Sequence, residues 1–546
     1  MTSIARLVSS IPVQDIVAGA RLLRSLPGFL RNPIGVEQAR AILRRRLEHR
    51  EGDFLALART AIYGQAASPY RKLLRLAGCE YGDLERLVGG EGLEGALCAL
   101  LQRGVYLTVD ELKGRRPAVR GSTVVAVDPV RLRNPSSAFH VAGESSGSRG
   151  PRTRAPFDLA LIRDRAVDLS LVLDARGGGR WLHALWEVPG GAAIVHLLDF
   201  SAVGTPPIRW FSQVSPTASD LHPRYRWSAR GVRWVSLLAG TPLPRPDYVP
   251  LRDSLSIARW MAKILGNAGT PHLYTFPSSA VGLCQAAREA GIALRGAQFT
   301  LAGEPITAAR LATIRAVGAE AVPRYACIEA SIVAEGCLAP AAADDLHLLH
   351  DVHALVQPGP DVATPGLPAG ALVISSLRPT APLILLNVSL GDQAQLAHRE
   401  CGCPLERLGW TTHLHTVRSF EKLTAGGMTF LDRDLIRVLE VALPARFGGG
   451  PTDYQLQEEE TRDGRPRLRL LVHPSVSPLD NDAVADAFLE AIGGGSGVER
   501  VMELHWRQAG LLRVERGAPL AGTTGKILHL HQQGRATGRS DPRSAT

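Results

Sequence analysis

The chain has 546 residues, of which 45% are apolar, and a formal net charge of +10 at neutral pH. One hydrophobic core rarely serves a chain of this length, so we expect a large domain and at least one smaller one. We find no apolar run of the roughly 18 residues that a membrane span needs and no signal-peptide pattern, and we expect a cytoplasmic protein. The arginines are scattered rather than gathered in a basic stripe, which favours a polyphosphate substrate over nucleic acid.

The hydrophobic pattern changes along the chain. Residues 1–115 have apolar side chains at helical spacing, for example in residues 36–44, and predict a helical segment. From about residue 120 to 400, short apolar runs alternate with helical stretches, which is typical of an α/β architecture. In this part we predict strands at residues 121–127, 193–198 and 371–375 and a helix at residues 255–265. A second α/β segment ends near residue 531, and residues 534–546, rich in Arg, Ser and Gly, predict a disordered tail.

Two motifs in the central part have residue types suited to a nucleotide. Residues 144–154 form a loop rich in Ser, Gly and Arg, in which backbone amides, hydroxyls and cations approach phosphate oxygens. Residues 301–307, Leu-Ala-Gly-Glu-Pro-Ile-Thr, predict a turn between an apolar strand and a helix that contains Arg310. Residues 322–330 then predict a strand that ends in an aromatic and an acidic residue, an arrangement able to hold a base and a metal-bound phosphate.

Two further motifs lie closer to the C-terminus. Leu390-Gly-Asp392 follows a predicted strand at residues 383–388, where a carboxylate at a strand end accepts the two hydroxyls of a ribose. Gly522-Thr-Thr-Gly-Lys526 presents a lysine on a glycine-containing turn, in a chain where arginine greatly outnumbers lysine. Each motif alone also fits a simpler role, namely a linker, a turn, a capping acid or a surface lysine.

In this order, the motifs resemble the adenylate-forming superfamily of acyl- and aryl-CoA synthetases, and are most similar to its phenylacetate-CoA ligase-like branch. The resemblance covers roughly residues 120–531. It implies an α/β fold, with a large multi-sheet adenylating domain at residues 116–418 and a small, mobile α+β domain at residues 419–533. The helical accessory segment at residues 1–115 precedes them, and a hinge lies near residues 418–421.

The resemblance also assigns roles to single residues. The phosphate loop and the adenine-side turn are matched by Ser145, Ser146, Gly147, Ser148, Gly150, Gly303, Glu304 and Pro305. Tyr325 matches the aromatic residue at the nucleotide, Glu329 the acid that helps to hold Mg²⁺, and Asp392 the ribose-binding aspartate. Arg418 matches the arginine beside the hinge, and Lys526 the catalytic lysine.

The implied activity is ATP-dependent conversion of a carboxylic acid to acyl-AMP, with transfer to the thiol of coenzyme A or of a carrier-protein phosphopantetheine. The carboxylate attacks the α-phosphorus in line, so the site must position the reactants and spread negative charge. Basic N-terminal residues, including Arg44 to Arg46 and Arg71, fit an acidic carrier protein or the phosphates of coenzyme A, or form a solvated helix surface. Two alternatives stay open: an acyl-protein synthetase or amide-forming adenylating enzyme, and a non-catalytic nucleotide-binding relative.

The chain departs from the family pattern at several positions. The phosphate loop has Arg149 where a threonine is usual and Arg152 near the place of its lysine, although arginine supplies the same charge. Ala326 replaces the glycine after the tyrosine, and Phe420 stands where an aspartate is usual. These departures are the reason for keeping the non-catalytic alternative.

The cysteines predict thiols or metal ligands rather than disulfides, because there are seven and no secretory signal accompanies them. Three thiolates and an imidazole suit a closed tetrahedral zinc, and some relatives in this branch place similar residues around a structural metal. The predicted ligands are Cys337, His347, Cys401 and Cys403, with His350 and His353 as alternatives. The other interpretation is a set of ordinary buried thiols beside a histidine.

Overall fold

A computed structural model describes residues 13–144, 154–215, 223–359, 364–420, 423–425, 428–430, 432–460, 466–477, 479–493, 503, 506–507, 512–522 and 525–532. The chain forms two compact units, Met1–Phe420 and Glu421–Thr546. Among the described helices, none has both the length and the apolar content that crossing a bilayer requires.

The first unit begins with helices. They are α1 (Val13–Leu30), α2 (Val36–Glu48), α3 (Arg50–Leu57), α4 (Pro69–Leu76), α5 (Tyr81–Gln102) and α6 (Val109–Leu112). Buried side chains of this region, such as Leu43 and Leu97, belong to the same hydrophobic cluster as Val373 and Ile374 of the strand at Ala371–Ser376. The N-terminal helices are therefore part of the core of this unit.

A 12-stranded sheet is the centre of the first unit. Its strands are β5 (Leu182–Glu187), β6 (Arg209–Ser212), β7 (Pro246–Tyr248), β8 (Pro271–Thr275), β9 (Gln298–Ala302), β10 (Glu320–Cys327), β11 (Ser331–Gly336), β12 (Leu346–Leu348), β13 (His353–Val356), β14 (Ala371–Ser376), β15 (Val388–His398) and β16 (Thr412–Ser419). The spatial order is β13-β14-β15-β16-β12-β11-β10-β9-β8-β5-β6-β7. Strands β5 to β10 pair in parallel, and the remaining pairs are antiparallel.

Helices connect the parallel strands, as parallel pairing requires. They are α8 (Gly191–Ala202), α9 (Pro223–Leu238), α10 (Leu255–Gly266), α11 (Pro277–Glu289) and α12 (Ala308–Arg315), and α7 (Leu159–Ala175) precedes β5. Two small antiparallel pairs complete the described strands of this unit, β1 (Ala118–Arg120) with β2 (Thr123–Val125) and β3 (Val141–Glu144) with β4 (Arg154–Phe157). The predicted α/β class is confirmed, as are the helices at residues 36–44 and 255–265.

The strand predicted at residues 193–198 is wrong, because these residues lie in helix α8. Of these six residues, only His196 is partly exposed, and the others are buried. A short run of apolar residues does not distinguish a helix that is buried all round from a buried strand.

The strand predicted at residues 383–388 is also wrong. Leu383 forms an isolated bridge with Arg133, and strand β15 begins at Val388. Asp392 therefore lies inside an antiparallel strand, opposite Ser419 of β16, rather than after the end of a strand.

The second unit has its own sheet and core. Its described elements are β17 (Leu423–Ala425), β18 (Met428–Phe430), α13 (Asp432–Arg437), α14 (Leu443–Phe447), β19 (Tyr454–Glu460), β20 (Pro466–Val472), α15 (Asn481–Gly493), β21 (Leu512–Arg516) and β22 (Leu530–Gln532). Four strands form a mixed sheet in the order β21-β20-β19-β22. Leu456, Phe488 and Trp506 are fully buried in a hydrophobic cluster of this unit.

Candidate active site and metal centre

The residues assigned to the nucleotide follow neighbouring strands of the main sheet. Strands β9 and β10 are parallel, so their carboxyl ends lie at the same edge. Gly303 and Glu304 follow β9, Tyr325 lies near the end of β10, and Glu329 follows that strand. In open α/β sheets, ligands bind beyond the carboxyl ends of the strands. The structure therefore brings these residues to the edge where a ligand is expected.

The Gly303-Glu304 turn is held by a buried ion pair. Gly303 has a φ of 87°, a conformation that favours glycine. The Glu304 carboxylate accepts hydrogen bonds from the backbone N–H and the hydroxyl of Ser278, at 2.9 and 2.8 Å, and contacts Arg310 at 2.8 Å. The side chains of Glu304 and Arg310 are 0% and 2% exposed. Glu304 thus fixes the turn between β9 and α12, and Pro305 follows within that turn.

A hydrogen bond joins two residues that the sequence assigned to the nucleotide. The Tyr325 hydroxyl donates to Asp392 Oδ2 at 2.7 Å, although the residues are 67 positions apart in sequence. Burial and the negative charge of Asp392 raise the pKa of Tyr325 well above its ordinary value, which keeps the phenol protonated as a donor. Asp392 itself is half-buried on β15. The aromatic residue and the carboxylate therefore form one polar site.

Glu329 is a buried carboxylate, with 5% of the residue exposed. Its negative charge contributes to the raised pKa of Tyr325 and, after burial, to that of Cys327. A buried carboxylate just after the end of β10 is a suitable oxygen ligand for a cation.

Arg418 is anchored beside Asp392. It lies on β16 opposite Gln393, and its guanidinium contacts Asp344 Oδ2 at 2.7 Å. The Asp344 carboxylate also accepts hydrogen bonds from the backbone N–H groups of Thr416 and Val417, at 2.9 and 3.0 Å. Asp344 was not identified from the sequence, where it is 74 positions away from Arg418 and has no motif around it.

Lys526 lies on a tight turn in the second unit. The backbone N–H of Gly522 donates to the Lys526 carbonyl at 2.8 Å, and that of Gly525, with a φ of 79°, donates to the Gly522 carbonyl. The predicted phosphate loop lies outside the described residues, and this applies to Ser145, Ser146, Gly147, Ser148 and Gly150.

Four side chains of the first unit converge on one point. The ligand atoms of Cys337, His347, Cys401 and Cys403 all lie within 4.8 Å of one another. Cys337 follows β11, His347 lies in β12, and the Cys401-Gly-Cys403 turn connects β15 with β16. The two pairs are far apart in sequence, and the antiparallel pairing of these strands brings them together.

The histidine of this Cys-His cluster is already oriented as a metal ligand. His347 Nδ1 donates to the carbonyl oxygen of Trp410 at 2.6 Å, which leaves the Nε2 lone pair facing Cys403 Sγ at 3.2 Å and Cys401 Sγ at 3.7 Å. Burial lowers the pKa of His347 to about 4, so the imidazole is neutral. A second hydrogen bond that fixes the ring is typical of histidines that bind metals.

Hydrogen bonds also surround the cluster's sulfur atoms. The backbone N–H of Ala339 donates to Cys337 Sγ at 3.3 Å, and that of Cys403 donates to Cys401 Sγ at 3.5 Å. Burial acts to raise the pKa of Cys403, but N–H donors, chiefly that of Glu406, outweigh it and lower this pKa below the ordinary value. The alternative ligands His350 and His353 lie outside the cluster.

Comparison with known proteins gives the fold. No protein-family model and no curated protein sequence matches the chain. Among solved structures, 2-hydroxyisobutyryl-CoA ligase in the postadenylation state, in complex with 2-HIB-AMP, matches with a TM-score of 0.52 and 16% identity, over 92% of this chain and 91% of that one. An anthranilate CoA ligase in complex with anthranoyl-AMP matches at 0.40 and 13%, over 71% and 65%. The amide bond synthetase McbA from Marinactinospora thermotolerans matches at 0.39 and 12%, over 88% and 92%.

The match to 2-hydroxyisobutyryl-CoA ligase spans nearly the whole of both chains. The chain therefore has the fold of this CoA ligase. The match does not distinguish the phenylacetate-CoA ligase-like branch from the others.

Proposed function

We propose that this protein is an ATP-dependent adenylate-forming ligase that activates a carboxylic acid as its acyl-AMP. The observation that carries the proposal is the Tyr325–Asp392 hydrogen bond, located beside the Gly303-Glu304 turn in this fold. Two motif residues separated by 67 positions meet at hydrogen-bonding distance, which the simple roles of a capping acid and a core tyrosine do not require. Acid-dependent exchange of pyrophosphate into ATP tests the proposal.

In the proposed reaction, each residue has a separate task. The Asp392 carboxylate accepts the ribose hydroxyls, and the Tyr325 hydroxyl holds that carboxylate in place. Glu329 is suited to hold Mg²⁺, which when bound offsets the charge of the departing pyrophosphate. The carboxylate substrate attacks the α-phosphorus in line, and the ammonium group of Lys526 stabilises the negative charge shared by both reactants.

The acceptor in the second half-reaction is a thiol in this proposal, either coenzyme A or a carrier-protein phosphopantetheine, as in a phenylacetate-CoA ligase-like enzyme. We propose an aromatic or medium-sized apolar acid as the substrate. An acyl-protein synthetase or an amide-forming enzyme shares the first half-reaction. The identity of the acceptor distinguishes these enzymes, so acceptors must be compared with pre-formed acyl-AMP.

Changing Asp392 to alanine is expected to raise the KM for ATP roughly 10- to 100-fold with a small change in kcat, because ribose binding is uniform in ground and transition states. Tyr325→Phe should raise it less, by about 3- to 10-fold, since the carboxylate remains. Steady-state pyrophosphate exchange over a range of ATP concentrations measures both. In the matched control Tyr106→Phe, the lost hydrogen bond to the Pro365 carbonyl lies outside this site, and the KM should not change. A fall in kcat at unchanged KM in Asp392→Ala would contradict the assignment.

The N-terminal basic residues provide a test of the acceptor. Arg44 and Arg45 are exposed on α2, whereas Arg46 is 2% exposed and pairs with Asp164, Asp168 and Asp351, so Arg46 is not part of a docking face. Deletion of these helices would remove core residues. We therefore choose charge reversal: Arg44→Glu with Arg45→Glu should lower acyl transfer to an acidic carrier protein about tenfold and leave pyrophosphate exchange unchanged.

The matched control for charge reversal is Arg288→Glu, at an exposed position of α11. Transfer to a carrier protein should also weaken as salt is added, because exposed charges are screened. Unchanged, salt-insensitive transfer in the double variant would remove the α2 face from acceptor binding and favour free coenzyme A.

We also propose that the Cys-His cluster binds one structural zinc ion. The donor set is three sulfurs and one imidazole nitrogen, the second nitrogen of the imidazole is hydrogen-bonded, and N–H donors face the sulfurs. This donor set fits a closed tetrahedral site with no open position for substrate. The ion would cross-link the β11–β12 hairpin to the β15–β16 connection, which gives it a role in stability.

A further inference from the structure

Helix α9 has a line of exposed apolar side chains. Trp227, Trp234 and Leu238 are 55%, 68% and 80% exposed. They are seven and four residues apart, so on a helix of 3.6 residues per turn they lie within about 20° of one line. Tryptophan is among the side chains that proteins usually bury to a large extent, and a contiguous exposed apolar surface marks an interaction site.

The opposite face of α9 is firmly packed. Val232 and Ser236, which lie about 140° and 180° around the helix from Trp227, are buried. The Ser236 hydroxyl donates to the Arg233 carbonyl at 2.7 Å and accepts from the Leu243 N–H at 3.0 Å. These contacts fix the rotation of the helix, so the tryptophans face outward because the other side is already occupied.

The charged residues of helix α9 itself are all positive. Helix α9 contains four arginines and no acidic residue. Arg230 and Arg233 are exposed, and the Arg230 guanidinium lies 5.8 Å from the centre of the Trp227 ring. Ile16 and Val17 of α1, the helix that packs against α9, add further exposed apolar side chains. The surface therefore combines tryptophan, leucine and arginine, without a carboxylate on α9.

We infer that this face of α9 docks on an anionic lipid bilayer. Tryptophan prefers the boundary between headgroups and acyl chains, and a helix with an apolar line and flanking arginines lies in that plane. Arginines near the surface attract anionic headgroups. The inference does not depend on the proposed function, because no residue assigned to catalysis lies on α9.

The test is co-sedimentation of the full chain with vesicles of phosphatidylcholine alone and of phosphatidylcholine mixed with phosphatidylglycerol. We expect binding to the anionic vesicles, weakened by added salt, and little binding to the neutral ones. Trp227→Ala with Trp234→Ala should lower the partition coefficient at least tenfold. Arg230→Gln with Arg233→Gln should lower it about 30-fold. All four positions are exposed, so the variants should fold, and circular dichroism checks this.

The matched control is Leu76→Ala, an exposed apolar residue of α4 beside Arg75, which should bind vesicles like the unaltered chain. Equal binding to neutral and anionic vesicles, or full binding by both double variants, would overturn the inference. Analytical ultracentrifugation gives the other decisive outcome. If the chain self-associates, loses this in Trp227→Ala with Trp234→Ala, and does not bind vesicles, the surface belongs to a contact between two copies.

Discussion

The Lys526→Ala variant is expected to form acyl-AMP roughly 10²- to 10³-fold more slowly, close to abolition, while its affinity for ATP changes no more than a few-fold. Removing a cation that faces charge developing in the transition state raises the activation free energy by about 3 to 4 kcal/mol. The resemblance places Lys526 on the mobile domain, so we expect it to meet the phosphate mainly in the reacting state. Pyrophosphate exchange measures the rate, and calorimetric titration with ATP measures binding.

The control for this variant is Lys263→Ala, an exposed lysine at the last turn of α10, which should exchange pyrophosphate at the original rate. Lys526→Arg keeps the charge but changes its shape, and should recover part of the activity at most. Exchange at the original rate in Lys526→Ala would remove this residue from the mechanism. Equal loss of ATP binding and rate would instead indicate a ground-state role.

Protein purified without chelator is expected to contain one zinc ion per chain, and Cys403→Ala is expected to lose it. The ion would tie together segments that begin at Cys337 and Cys401, so its loss should lower the melting temperature by on the order of 10 °C. Catalysis measured below the transition should change less than a few-fold, because the site has no open coordination position. Elemental analysis and thermal denaturation measure the two effects.

Cys284→Ala is the matched control for the zinc test. Cys284 is a buried thiol in α11, in a hydrophobic cluster different from that of Cys337 and Cys403. Its substitution makes a small cavity but should leave the zinc content at one ion per chain. Absence of zinc from the unaltered chain would contradict the proposal and leave the cluster as hydrogen-bonded buried thiols.

The main features of the fold were predictable because local signals and motif order agree. The turn at Gly303 was predicted from a glycine and a proline between an apolar run and a helix, and the structure has that turn between β9 and α12. The errors arose where burial removes periodicity. Residues 193–198 are apolar except for His196, because α8 is buried on nearly every side. Residues 383–386 are apolar because they are buried in irregular structure before β15.

The site was predictable in its residue types but not in its supporting contacts. The four residues of the Cys-His cluster could be predicted from the sequence, because cysteine and histidine are the usual ligands of zinc. Trp410, whose carbonyl orients His347, and Asp344, which anchors Arg418, have no local signal, because a distant backbone or carboxylate oxygen leaves no pattern in sequence. Glu304 was assigned to the adenine side, and the structure shows its carboxylate in a buried ion pair.

The central claim is that this chain makes acyl-AMP. The most direct measurement is exchange of labelled pyrophosphate into ATP in the presence of Mg²⁺ and a panel of aromatic and medium-sized apolar acids. We expect exchange that depends on at least one acid and that falls roughly 10²- to 10³-fold in Lys526→Ala. If ATP binds but no acid supports exchange, and hydroxylamine traps no acyl product, the chain is a nucleotide-binding protein without adenylating activity.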